Sequence, residues 1–104
     1  MKKNYSLYLG LNDKDSKKQL LTVAESESIL NDYLLNRAGV YGATVENVKG
    51  VYTHENGDVV VENTLKITLC YISKKQVLKI ASDLKELFNQ ESIMIQKLSS
   101  VLFF

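Results

Sequence analysis

The chain has 104 residues, of which 45% are hydrophobic and 24% charged, a composition typical of a globular domain and not of a disordered tail. Thirteen basic and twelve acidic residues leave a net charge of +1, which argues against bulk nucleic-acid or membrane-surface binding. The length suits one domain over residues 1–104, and the single cysteine excludes an internal disulfide. No segment is apolar for long enough to cross a bilayer or to act as a signal peptide, so we expect a cytoplasmic protein.

A strand and a helix are predicted first. Apolar side chains at the odd positions of residues 5–11 alternate with other residues, which predicts a strand with its odd face toward the core. Thr22 and Glu25 have the spacing of a capping box, and apolar residues at helical spacing follow, so we predict a helix over residues 23–38. Gly39 stands where a left-handed residue ends such a helix.

The dipeptide Asn56-Gly57 is the strongest turn signal in the chain. It predicts a two-residue type I′ loop between two antiparallel strands, because both residues tolerate positive φ. That loop would pair Tyr52 with Val61 and Gly50 with Asn63, which places Tyr52 on the apolar face of the sheet.

The second half of the chain predicts a strand, a helix and a strand. From Val59 to Tyr71 the odd positions are apolar except for Asn63, so we expect these side chains, Tyr71 included, to face the core. Ser73 and Gln76 repeat the capping-box spacing before the clearest helical stripe in the sequence. Residues 93–98 predict the last strand.

The element order is strand, helix, strand, strand, helix, strand. With one buried face per sheet and right-handed crossovers, this predicts an α+β, ferredoxin-like βαββαβ fold, with sheet order 4-1-3-2 and two helices on one face. The loop after the first strand, the hairpin tip and the loop before the last strand then meet at one end, which we call the polar end. Its candidate ligand-binding residues are Asp13, Lys14, Asp15, Lys17, Lys18, His54, Glu55 and Gln90.

The polar end suggests two kinds of chemistry. His54, beside Glu55 and near Asp13 and Asp15, could serve acid–base catalysis or bind a metal, but the chain has no motif such as His-Glu-x-x-His. A hairpin-tip histidine in water is the simpler interpretation. We therefore predict no metal and no cofactor.

Three lysines, Lys14, Lys17 and Lys18, precede the first helix, whose free N-terminal amides favour anions such as a nucleotide phosphate. The loop lacks the glycines of a Walker A or dinucleotide loop, so a solvated loop of balanced charge explains it as well. Cys70 is interpreted as a structural thiol. RNA binding to the uncovered sheet face is not favoured, since Tyr8 is its one aromatic residue on the predicted central strands.

The segment Val101-Leu102-Phe103-Phe104 is unusually apolar for a chain terminus. Together with Tyr8 it forms the candidate interface. Either it packs on its own sheet, or it is buried in a second subunit or a protein partner, which would make the protein a homo-oligomer.

Two segments carry a resemblance to known proteins. Leu9-Gly10-Leu11-Asn12-Asp13-Lys14-Asp15 and Phe88-Asn89-Gln90-Glu91-Ser92-Ile93 resemble small, uncharacterised ferredoxin-like proteins of bacterial phages and mobile elements, and a prokaryotic family of unknown function. The resemblance implies an accessory protein with no activity to transfer. The PII signalling proteins share the element order, but the turn at Asn56-Gly57 leaves no room for their long loop.

These observations lead to a functional prediction with two alternatives. The first is a non-enzymatic binding protein that inhibits a host defence protein through protein–protein contacts. The second is a protein that binds or sequesters a nucleotide or another small anion at the polar end. The third, with the least support, is a small enzyme that uses His54.

Overall fold

The computed structural model describes residues 2–53 and 55–103; Met1, His54 and Phe104 lie outside the described residues. The elements are β1 (Lys2–Gly10), α1 (Val23–Asn36), β2 (Thr44–Thr53), β3 (Val59–Ser73), α2 (Lys74–Leu87) and β4 (Met94–Leu98). The strands form one antiparallel sheet in the order β2-β3-β1-β4, with both helices on one side. The predicted ferredoxin-like fold is therefore confirmed. We call the side of the sheet away from the helices the open face.

One core fills the space between the sheet and the two helices. Apolar side chains meet there, as the sequence predicted: those at every second position of β1 and β3, and those that recur at helical spacing along α1 and α2. The buried hydrophobic side chains are Tyr5, Leu7, Leu9, Leu11, Leu30, Tyr33, Leu34, Leu65, Ile67, Leu69, Ile72, Val77, Ile80, Ala81 and Leu84. Because β1 and β3 supply the strand part of this core, they are the central strands and β2 and β4 are the edges.

Both helices begin at the side chains that the sequence indicated. Thr22 Oγ1 accepts from the Glu25 N–H at 3.0 Å, and the Glu25 carboxylate accepts from the Thr22 N–H at 3.0 Å, which completes a capping box. Ser73 Oγ caps α2 by accepting from the Gln76 N–H at 3.1 Å. The Gln76 side chain donates instead to the Ala38 carbonyl at 3.4 Å, so it joins the start of α2 to the segment after α1.

The hairpin register differs from the predicted one by a residue. Thr53 pairs with Val59, and Tyr52 therefore pairs with Val60 and not with Val61. The Asn56 side chain accepts from the Asp58 N–H at 3.0 Å, an Asx turn that replaces the two-residue type I′ loop. Since a one-residue shift exchanges the two faces of a strand, Tyr52 lies on the open face, and the prediction that it faces the core is wrong.

A bulge near the end of β3 overturns a second prediction. The pairing with β1 shifts between Lys3 and Tyr5, and Tyr71 takes a left-handed φ of 56°. The bulge turns Tyr71 outward to 68% exposure and brings Ile72 into the core at 3%. The Tyr71 N–H donates to Asn4 Oδ1 at 3.0 Å, so its backbone donor stays satisfied.

The apolar tail reaches this bulge. Phe103 stacks on Tyr71, with ring centroids 6.3 Å apart, yet 69% of Phe103 and 84% of Leu102 remain exposed. Within residues 2–53 and 55–103, none of the helices has the length and apolar character needed to cross a membrane.

Candidate functional site

Asp13 organises the loop after β1. Its Oδ2 accepts from the backbone N–H groups of Asp15 at 3.0 Å and Ser16 at 2.9 Å, and its Oδ1 accepts from Asn89 Nδ2 at 2.6 Å. The bond from Asn89, followed by that from the Ser16 amide, lowers the pKa of Asp13 from 3.8 to about 2. These bonds occupy both oxygens, so Asp13 holds the loop together and is poorly placed to act on a ligand.

The loop before β4 meets this loop, as the sequence predicted. Asn89 Nδ2 also donates to Asp15 Oδ2 at 2.9 Å, and the Lys14 N–H donates to the Asn89 carbonyl at 3.0 Å. Gln90 is 8% exposed, and its Nε2 donates to the Asn12 carbonyl at 2.7 Å. Gln90 therefore acts as a support beneath the loop and not as an exposed ligand-binding side chain.

The structure separates the remaining predicted residues. Lys14, Lys17 and Glu55 line a groove that is described next, whereas Asp15 and Lys18 do not. His54 lies outside the described residues. Cys70 is half-buried in β3, away from the groove.

A broad groove of about 1560 Å³ runs over the open face and ends at the polar end. It is open to solvent, and charged, aromatic and aliphatic side chains contribute to it. Its lining residues are Tyr8, Gly10, Asn12, Asp13, Lys14, Lys17, Val48, Lys49, Gly50, Val51, Tyr52, Glu55, Asn56, Asp58, Val59, Val60, Glu62, Thr64, Gln90, Glu91, Ser92 and Met94. This groove, and not the polar end alone, is the candidate site.

Glu62 is a half-buried carboxylate inside the groove. On one side its Oε2 accepts from the Asn12 N–H at 2.8 Å. It also lies against Gly10, where a Cβ atom would be 2.6 Å from the carboxyl atoms of Glu62. On β2 it faces another glycine, Gly50. The two glycines leave space around a carboxylate that retains unused acceptor positions toward the groove.

Two tyrosines, Tyr8 and Tyr52, line the groove together with Glu62. Partial burial, and then the charge of Glu62, raise the pKa of Tyr52, so its hydroxyl stays protonated at neutral pH. On β1, the Tyr8 hydroxyl donates to Gln96 Oε1 at 2.9 Å, and Lys66 Nζ lies 5.7 Å from the centre of the Tyr8 ring. The groove thus combines a carboxylate, aromatic rings and small residues, a set that suits an organic cation with polar substituents.

The sequence reasoning missed Glu62, Tyr52 and Gly50 as site residues. Glu62 was placed on the open face but was not singled out, and the incorrect register moved its two neighbours to the other face. Asn56 itself was the available signal, since an asparagine side chain can accept from the N–H two residues on and close an Asx turn. Among the described residues, no group of three or more His, Cys, Asp or Glu side chains is arranged to hold a metal ion.

Comparison with known proteins gives the class of this chain. The model of the S-adenosylmethionine lyase family matches residues 12–104, which include the loop after β1, the hairpin and both helices. The chain therefore belongs to the S-adenosylmethionine lyase family. No curated protein sequence matches it.

Solved structures agree with this assignment. A phage SAM lyase in complex with S-methyl-5'-thioadenosine is 28% identical, with a TM-score of 0.65 over 90% of this chain and 79% of the other. A phage SAM lyase in the apo state is 27% identical, with a TM-score of 0.66 over 90% and 78% of the two chains. A Bacillus subtilis GlnK–ATP complex is 18% identical, with a TM-score of 0.51 over 92% and 82%, and shows the fold alone.

These findings correct the functional prediction. The family is one of enzymes, so the prediction of a non-enzymatic protein that inhibits a host defence protein is wrong, and so is the description as a protein of unknown function. The resemblance to phage proteins is confirmed in its general form, because the similar lyases are phage proteins.

Proposed function

We propose that this chain is an S-adenosylmethionine lyase that cleaves its substrate in the groove on the open face. The family match over residues 12–104 carries the proposal, and the 28% identical phage lyase with S-methyl-5'-thioadenosine indicates the product. Removing the four-carbon amino-acid unit from the sulfonium of S-adenosylmethionine leaves that thioether.

A lyase must complete this cleavage without water, which restricts the chemistry. In the proposed step a carboxylate oxygen of the substrate attacks its own Cγ, a C–O bond forms, and the Cγ–S bond breaks with its electron pair going to sulfur. The products are S-methyl-5'-thioadenosine and homoserine lactone, and no proton is transferred. The chain's task is to hold the flexible amino-acid part in the geometry of ring closure, which is catalysis by orientation.

The alternative water-free cleavage is an elimination, which would remove a proton from Cβ of the substrate. That proton is not activated by a neighbouring carbonyl, so a carboxylate such as Glu62 is too weak a base for it. Ring closure requires no base, and we therefore propose the lactone pathway.

The groove offers suitable contacts for such a substrate. Glu62 has acceptor positions for hydrogen-bond donors, and its negative charge complements the ammonium and sulfonium groups of S-adenosylmethionine. Tyr52, whose hydroxyl is protonated, lines the same groove, as do the apolar side chains of Val48 and Val60.

The experiment incubates the purified chain with S-adenosylmethionine and follows the products by mass spectrometry. We expect S-methyl-5'-thioadenosine and homoserine lactone in equal amounts, with the lactone trapped as a hydroxamate when hydroxylamine is added. Absence of S-methyl-5'-thioadenosine would contradict the proposed function. Formation of 2-aminobut-3-enoate in place of the lactone would leave the lyase activity standing and replace ring closure by elimination.

A further inference from the structure

We infer that Gly10 and Gln90 are positioning residues that hold the Glu62 carboxylate in place for the reaction, an inference that rests on the proposed function. Neither of these two residues needs to touch the substrate. Gly10 supports the carboxylate from β1, and Gln90 acts through the backbone of Asn12.

The Gly10 contact depends on the absence of a side chain. A Cβ atom there would approach Cδ, Oε1 and Oε2 of Glu62 to 2.6 Å, far inside the contact distance of real Cβ atoms. Gly10 does not have a positive φ, so an alanine can adopt its backbone conformation. Since the obstructed atoms are the far end of a flexible side chain, an alanine should displace the Glu62 carboxylate at little cost to the fold.

The Gln90 contact acts one residue further away. Gln90 Nε2 donates to the Asn12 carbonyl at 2.7 Å, and the Asn12 N–H donates to Glu62 Oε2 at 2.8 Å. Gln90 is itself held, because its own N–H donates to the Lys85 carbonyl at 2.8 Å and its side chain is 8% exposed. The end of α2 is thereby connected through the Asn12 peptide to the carboxylate in the groove.

This arrangement matters for a reaction that proceeds by orientation. The Glu62 side chain has three torsion angles between Cα and its carboxylate, and few contacts fix them, so its supports decide where the charge lies. A displacement of about 1 Å can reduce a rate by up to about a hundredfold without a comparable loss of substrate affinity.

The first test replaces Gly10 by alanine. We expect Gly10→Ala to lower kcat by about ten- to a hundredfold while KM for S-adenosylmethionine changes less than about twofold. The matched control is Gly42→Ala, because nothing lies within 4 Å of a Cβ there and Gly42 does not line the groove. A methyl group that merely obstructed the ligand would raise KM and leave kcat unchanged, which would overturn the inference for Gly10.

The second test replaces Gln90 by methionine, which keeps the volume and removes the donor. We expect a similar loss of kcat at nearly constant KM. Gln76→Met is the control, because Gln76 also donates its side-chain amide to a loop carbonyl, at the opposite end of the fold. If Gln90→Met keeps the wild-type kcat, or if both variants lose kcat equally, the role of Gln90 is overturned.

Circular dichroism establishes that each variant is folded before its kinetics are compared. If Gln90→Met fails to fold, Gln90→Leu takes its place, since it also lacks the donor and sets no charge against the Asn12 and Phe88 carbonyls that Gln90 faces. A wild-type chain that forms no S-methyl-5'-thioadenosine contradicts the proposed function, whereas an active wild type with an unaffected Gly10→Ala variant contradicts only the positioning inference.

Discussion

At the scale of single residues, two of the carboxylates that line the groove, Asp13 and Glu62, have different tasks. Both carboxylate oxygens of Asp13 accept hydrogen bonds, from the Asn89 side chain and from two backbone amides of its own loop. Glu62 accepts one amide hydrogen bond and retains acceptor positions toward the groove. Sequence position would have favoured Asp13, which lies among lysines in a polar loop, but hydrogen bonding favours Glu62 as the group available to a ligand.

The first prediction concerns the substrate contact of Glu62. Glu62→Gln should lower kcat/KM for S-adenosylmethionine by about ten- to a hundredfold, because it removes a charged partner from the cationic amino-acid end of the substrate. S-methyl-5'-thioadenosine has neither cationic group, so its affinity, measured by calorimetry, should change less than about threefold. An equal loss for both compounds would contradict this assignment and place Glu62 on the adenosine half that they share.

The second prediction concerns the pH dependence of Asp13. The folded chain lowers the pKa of this carboxyl from 3.8 to about 2, so the ionised form stabilises the fold above about pH 4, and this stabilisation is lost as the pH falls toward 2. Asp13→Ala should therefore lower the unfolding temperature near neutral pH, and the difference from wild type should shrink below about pH 4. A difference that is the same at both ends of this range would contradict the role of Asp13 in the loop.

At the scale of elements, the helix pair is joined by a polar contact at the edge of the core. The Tyr33 hydroxyl donates to Asp83 Oδ2 at 2.6 Å, and Lys79 forms an ion pair with the same carboxylate at 2.9 Å. The bond from Tyr33, and then that from Lys79, lower the pKa of Asp83. Burial, and then the hydrogen bond to Asp83, raise the pKa of Tyr33, and the Arg37 guanidinium lies 5.3 Å from the centre of its ring. This contact connects α1 to α2 across the layer that covers the sheet.

The third prediction follows from that contact. Tyr33→Phe should lower the free energy of unfolding by about 1 kcal/mol near neutral pH, because Asp83 loses a donor in a partly buried setting. The loss should diminish as the pH falls through the lowered pKa of Asp83, where the acid becomes protonated. Tyr41→Phe, at a fully exposed position, is the control in urea unfolding. Equal effects of the two substitutions would show that the hydroxyl of Tyr33 contributes nothing specific.

The hairpin shows how an element can be predicted correctly and aligned wrongly. Two antiparallel strands around Asn56-Gly57 were expected and are present. The exchange of a two-residue loop for an Asx turn changes the register by one residue and turns Tyr52 and Gly50 toward the groove. The energy difference between two such turns is small, so neighbouring strands decide between them.

At the scale of the whole molecule, several apolar side chains are largely exposed to solvent in the single chain. The tail residues Leu102 and Phe103 are 84% and 69% exposed, and Val51, Val59 and Val61 of the hairpin are between 61% and 68% exposed. We propose that this protein is a homo-oligomer in which such surfaces are buried, as the apolar tail suggested from the sequence.

The fourth prediction tests this proposal. The native mass by light scattering should be a multiple of the chain mass, and replacing Leu102 and Phe103 by serine should lower it. Serine at Leu35 and Leu78, two leucines that are 69% and 50% exposed on the helices, is the matched control and should leave the mass unchanged. A wild-type protein that is monomeric at the concentrations used for catalysis would contradict the proposal.

Much of the candidate site could be predicted only in outline. The sequence indicated that three loops meet at the polar end, and the contacts of Asp13 and Gln90 show that the loop after β1 and the loop before β4 do, while residues of the hairpin tip line the same groove. It did not indicate that these two side chains hold the loops together, whereas Glu62 keeps acceptor positions that are available to a ligand in the groove. That distinction depends on which acceptors remain unused, and hydrogen bonds between residues 12, 62 and 90 do not follow from spacing along the chain.

The sequence alone determined the element types and their order, the core face of β1 and β3, and the capping of both helices, because these depend on local periodicity and on side chains three or four residues apart. Tertiary structure decided the hairpin register, the outward turn of Tyr71 and the meeting of Gly10, Asn12, Glu62 and Gln90. The physical reason is that a one-residue shift or a bulge costs little locally and is decided by long-range packing. Such packing also decides that Glu62 keeps acceptor positions toward the groove.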